Sequence, residues 1–243
     1  MFFASLFYVF FVGSMLTQIN WVLYLASALV GLSAAALWVS EGLWVSRSRC
    51  NEKGHNAFFV VFSTSAVVSS LLSGLVLRYT PPQTFVAIFT GVAGLGSLML
   101  LFVVSASTPL ESESSKVVTL KTLFWSFRLV KEQRMFLLIP TMFFRSTVFA
   151  FSASVFPQMV GAAAGLEMIP WVLLVNACVV LVCAILVLLF SAKMSVRWWA
   201  LLHFVGLDCG LILCGSALAA PLSVRLPIFF VAAACLGFNE SFG

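Results

Sequence analysis

Apolar residues in this chain come in long runs, and polar residues are confined to the short stretches between them. The runs lie at 1–17, 21–40, 57–78, 84–105, 135–160, 169–191, 198–219 and 226–243. Each approaches the length of about 20 residues that a helix needs to cross a hydrocarbon core about 30 Å thick. None alternates with the period of two of a lipid-facing barrel strand. Lipid cannot satisfy exposed backbone groups, so each run is expected to be a helix. The breaks carry turn residues: TQIN at 17–20, TPPQ at 80–83 and PLSVRLP at 221–227. Pro81-Pro82 leaves room only for a tight connection, which makes 57–78 and 84–105 a helical hairpin. The first run passes from Met1 straight into Phe2-Phe3 without a basic leader, so it reads as a membrane helix rather than a signal peptide.

Composition agrees with that pattern. Of the 243 residues, 62% are hydrophobic and 9% charged, whereas a soluble domain is about one quarter charged. The net charge of +5 does not point to nucleic acid, because Lys and Arg lie scattered between apolar runs and not along one face. Their distribution gives an orientation instead. With the first helix starting in the cytoplasm, the cytoplasmic loops are 41–56, 106–134 and 192–197. They contain ten of the 13 basic residues, while Arg78 and Arg225 lie opposite and Arg145 lies within a span. This is the asymmetry of the positive-inside rule.

The longest polar break begins TPLESESSK, acidic and serine-rich, and continues VVTLKTLFWSFRLVKEQR. In the second part Leu120, Leu123, Phe124, Phe127 and Val130 share one helical face. The cations Lys121, Arg128, Lys131 and Arg134 fall largely elsewhere, predicting an amphipathic helix on the cytoplasmic leaflet. The chain is therefore expected to be an all-α polytopic membrane protein of about eight transmembrane helices in two half-bundles. Residues 1–105 form the first, 106–134 the cytoplasmic linker and 135–243 the second.

Candidate chemistry is sparse. Five of the six cysteines lie in apolar runs and Cys50 in a polar break. No CxxC occurs, and the histidines His55 and His203 have no ligand at metal spacing, so neither metal nor cofactor is expected. GxGxxG, P-loop, HExxH and GxSxG motifs do not occur, and the chain is not expected to be an enzyme. What stands out is intramembrane charge, which is costly and generally faces a cavity or a partner. Arg145, Asp208 and Glu240 lie in apolar runs, with Glu41 at a membrane rim, and these four are the candidates for a substrate or ion pathway. Arg145 is expected either to pair with Asp208 or to snorkel to the cytoplasmic interface. The small-residue pair Gly31/Ala35 and the glycines Gly91, Gly94 and Gly96 are expected to allow close helix packing.

The run YLASALVGLSAAALWVSEGLWVS at 24–46, followed by NEKGHNAFFVVFSTSAVVSSLLSGLV at 51–76, resembles the Unc-ninety-three-like branch of the major facilitator superfamily. The resemblance rests on Leu37-Trp38, Glu41, Gly42 and Trp44, then Gly54 and Asn56 in the following polar stretch. GFNES at 237–241 is similar to a weaker family pattern. The resemblance implies a partial major facilitator fold, with 1–105 matching helices three to six and 135–243 matching helices seven to ten. Helices one, two, eleven and twelve are absent, and Glu41 stands where the family commonly has Gln. The function implied is that of a regulatory or trafficking partner of other membrane proteins, such as ion channels. The alternatives are a secondary transporter of a small solute working by alternating access, or a truncated fragment without activity of its own.

Overall fold

The computed structural model describes residues 2–17, 19–47, 52–106, 132–190 and 196–240. These form α1 (Phe2–Ser14), α2 (Asn20–Arg47), α3 (Glu52–Tyr79), α4 (Pro82–Ala106), α5 (Gln133–Ala150), α6 (Phe156–Ala164), α7 (Ile169–Phe190), α8 (Val196–Ala219) and α9 (Leu222–Glu240). No strand occurs among the described residues. The segments Asn20–Ser40, Asn56–Tyr79, Pro82–Phe102, Ser146–Ala164 and Leu166–Phe190 are long and apolar enough to cross a membrane. Phe2–Ser14, Phe204–Ala219 and Leu222–Phe238 are shorter apolar helices. The protein is an all-helical polytopic bundle.

The helix boundaries depart from the sequence pattern where polar residues continue a helix. The stretch 41–56, expected to be a loop, is mostly helical: α2 runs on to Arg47 and α3 starts at Glu52. Helical hydrogen bonds close within the segment, so a helix does not have to end where its apolar residues do. Likewise α9 starts at Leu222, with Pro227 inside it, so only Ala220-Pro221 separates α8 from α9. Arg225 helps this tight turn, donating through Nε to the Ala220 carbonyl at 2.9 Å and through Nη2 to that of Leu218 at 3.4 Å. The predicted turn at Pro81-Pro82 is present, with Pro82 opening α4 at a position that loses no helical donor. The amphipathic helix expected within 106–134 lies outside the described residues except at its end, where α5 begins at Gln133.

Between α5 and α6 the chain makes a single π-helical turn, Phe151–Val155, in which the Phe156 amide donates to the Phe151 carbonyl. Pro157 follows directly. Its missing N–H and its ring disfavour ordinary α-helical bonding to Ala153, and a wider turn accommodates this. The two helices thus form one continuous element from 133 to 164. It ends at Gly165, whose φ of 92° suits glycine. A short 3₁₀ turn, Leu166–Met168, then leads into α7.

The apolar core lies in the second half of the chain. Phe156, Val160, Val172, Leu207, Phe229 and Leu236 are fully buried where α6, α7, α8 and α9 meet. Phe156 and Phe229 meet edge to face, with centroids 5.9 Å apart. Among the described residues of α1–α4 the buried ones are small: Ser5, Ser14, Ala26, Ser33, Ser63, Gly74 and Ser97. Lipid tails compete equally for large apolar side chains, so close backbone approach at small residues favours helix association. The hydroxyls of Ser5, Ser14, Ser33 and Ser63 donate to carbonyls of their own preceding turn, which allows burial without an interhelical partner.

The glycines expected to mediate packing are not the ones that do. A Cβ at Gly31, Gly91, Gly94 or Gly96 would meet nothing within 4 Å, because no described helix opposes those faces. The tight positions are Gly74 on α3, Gly161 on α6, Gly210 on α8 and Gly237 on α9.

Candidate functional site

Helix α3 decides where the cavities form. It lies along α7 in the other half of the chain, while its contact with its hairpin partner α4 is slight. Gly74 lets the Trp171 ring approach the α3 backbone closely: a Cβ there would lie 3.1–3.4 Å from three ring carbons. One consequence is a cleft of about 850 Å³ between the end of α3, the start of α4 and the Leu166–Leu173 segment. Its walls are mixed, with Ser69, Ser73, Arg78 and Tyr79 on one side and Glu167 and Leu173 on the other. Gly165 turns the chain so that Glu167 comes to the end of α3. The Arg78 guanidinium carbon sits 5.8 Å from the centroid of the Tyr79 ring. As the cation in the last turn of α3, Arg78 also complements the negative end of the helix dipole.

A second consequence is a crevice of about 590 Å³ where α3 and α4 diverge. Val61, Val68, Leu72, Val76, Ile88 and Val92 line it. Its hydroxyls are turned away into backbone: Thr64 donates to the Val60 carbonyl at 2.8 Å, Ser65 to Phe62 at 2.6 Å and Ser69 to Ala66 at 3.0 Å. The crevice is therefore apolar in effect. Ser69 lines both spaces, so they adjoin.

The four charged residues singled out by sequence fall on four helices. Glu41 lies in α2, Arg145 in α5, Asp208 in α8 and Glu240 at the last position of α9. The side chains of Glu41, Arg145, Glu240 and also His203 lie outside the described residues, while Asp208 is exposed. The Phe144 and Phe204 rings stand 6.4 Å apart, which brings the stretch of α5 around residue 145 close to α8 one turn before Asp208. Helix α2 packs on α1 and slightly on α3, so Glu41 belongs to a different part of the bundle from Asp208. Within the family-like run, Trp38 meets Phe62 edge to face at 5.3 Å and ties α2 to α3.

Sequence reasoning missed three features. Arg78 appears there only as a topological charge, and Glu167 not at all, because their juxtaposition depends on α3 crossing to α7. Asn176, a lone amide in an apolar run, donates through Nδ2 to the Ala233 carbonyl at 3.3 Å and joins α7 to α9. A polar residue at such a position is the available signal. Ser152, in the π turn, is 6% exposed, and its hydroxyl has no hydrogen-bond partner among the described residues. No group of three His, Cys, Asp or Glu placed to hold a metal ion occurs among the described residues.

Residues 1–198 match the family model of the ion channel regulatory protein UNC-93. No curated protein and no solved structure matches the chain.

Proposed function

Because the chain belongs to the UNC-93 family of ion channel regulatory proteins, we propose that it acts as a regulatory or trafficking partner of another integral membrane protein, such as an ion channel. The family is one of regulatory membrane proteins, not of enzymes. The match over 1–198 carries the reading, because it includes α1–α7 and with them the seam between the two halves. The surface is suited to the role. Phe3, Tyr24, Leu32, Phe102 and Phe143 are more than 70% exposed, giving apolar faces that lipid or a partner's helices can cover.

In this reading, 1–105 and 135–243 are two half-bundles of major facilitator type, and 106–134 is the connection on the basic, cytoplasmic side. The packing of α1 on α2 and α4, and of α9 on both α7 and α8, supports the division. The contact of α3 with α7 joins the halves. Proximity labelling from the chain in native membranes, combined with whole-cell current recordings with and without it, tests the role. Enrichment of a channel whose current changes on depletion is the expected result. Gradient-dependent solute uptake by the purified chain, with no channel enriched and no current altered, overturns it in favour of transport.

A further inference from the structure

We propose that the two adjoining clefts hold one zwitterionic phospholipid, with an acyl chain in the α3–α4 crevice and the head group at Arg78 and Glu167. The inference stands apart from the regulatory reading and does not depend on it. Both spaces fall within the range of about 300–1,000 Å³ in which proteins hold small molecules.

The crevice offers aliphatic walls and hydroxyls already bonded to backbone, so it suits a chain that makes no hydrogen bonds. Along α3 it is lined from Val61 to Val76. At a rise of about 1.5 Å per residue that is about 22 Å, more than one leaflet's share of a core about 30 Å thick. An extended acyl chain fits that length, and a compact solute would leave most of it empty.

The charged cleft adjoins the crevice at Ser69 and runs from there to the end of α3 and the start of α4, the level where a head group lies. Arg78 and Glu167 line it together, yet neither forms an ion pair among the described residues. Arg225, by contrast, is taken up by the carbonyls at the end of α8. A phosphate matches the Arg78 guanidinium, and an ammonium matches the Glu167 carboxylate. One cation with one anion selects a head group of net zero charge. A fatty acid or an anionic lipid would satisfy Arg78 and leave Glu167 facing negative charge.

The test is native mass spectrometry of the delipidated full chain in an equimolar mixture of palmitoyl-oleoyl phosphatidylethanolamine and the matching phosphatidylglycerol. The expected result is one phosphatidylethanolamine retained in preference to phosphatidylglycerol. Arg78→Gln and Glu167→Gln should each lower its occupancy by about fivefold, the size expected for an exposed charge contact. Glu167→Gln should also raise the share of phosphatidylglycerol. Leu72→Trp, at an exposed crevice position, should lower the occupancy of both lipids. Monodisperse elution of each variant shows that it folds. Equal retention of the two lipids by the unaltered chain overturns the proposal. So does wild-type occupancy in Arg78→Gln or Leu72→Trp, or displacement of the lipid by equimolar glycerophosphoethanolamine, which has the head group and no tails.

Discussion

Gly237 is the tightest position in the contact between α7 and α9, and replacing it with alanine gives a worked test of how the bundle is held. A Cβ built there lies 2.5 Å from the Asn176 carbonyl oxygen and 3.1 Å from its carbonyl carbon and Cα. A close carbon–oxygen contact is about 3.3 Å, so the helices must separate by about 0.8 Å. Backbone on both sides leaves no flexible side chain to move aside. The same displacement stretches the Asn176 to Ala233 hydrogen bond, already 3.3 Å long, beyond useful range. It also opens the contact around the fully buried Ala233 and Leu236. Overpacking costs about 1–3 kcal/mol, and the lost interhelical bond adds about 0.6 kcal/mol. The better helix propensity of alanine returns about 1 kcal/mol. The balance is a loss of about 0.6–2.6 kcal/mol, or a fall in Tm of roughly 1–10 °C for a chain of this size. Gly215→Ala on α8 is the control, because a Cβ there meets nothing within 4 Å. Thermal unfolding followed by size-exclusion fluorescence in detergent reads both. Wild-type stability in Gly237→Ala, or an equal loss in Gly215→Ala, refutes the reasoning.

Gly74→Leu should lose about 1–3 kcal/mol by pressing on the Trp171 ring. Trp171→Ala added to it should recover part of that loss, and an additive double variant would show that the seam is not the cause. Ser152→Ala removes a buried hydroxyl without a partner among the described residues and should hold or raise the Tm, by up to about 1 kcal/mol of stability. A lower Tm would show that the hydroxyl is engaged within the membrane. We propose that Arg145 and Asp208 pair across α5 and α8, near the Phe144–Phe204 contact. Arg145→Asp should then cost on the order of 3 kcal/mol, the translocon-scale cost of a central charge, read as lost folded protein. Asp208→Arg should restore part of it, and no rescue at all would end the pairing idea.

The apolar runs and the Pro81-Pro82 turn place the helices, because hydrophobicity accumulates locally and a helix satisfies its own backbone. The same local character explains where the boundaries drift. The polar residues from Glu41 to Arg47 end a run of hydropathy without ending a helix. Pro227 suggests a break, yet α9 starts five residues before it and continues through it. The π turn before Pro157 has a sequence cause, but a proline alone does not distinguish a kink from a wider turn.

The chain by itself determined that it is a bundle of membrane helices, roughly where each lies, and which residues carry charge among them. Only the tertiary structure decided which helices touch. Lipid-facing and helix-facing residues are equally apolar, so no periodicity marks α3 as the partner of α7, or Gly237 in place of Gly31 as a packing site. For the same reason, that Arg78 and Glu167 line one cleft was invisible in the sequence. They are 89 positions apart, and only the crossing of α3 to α7 and the turn at Gly165 place them on one cleft.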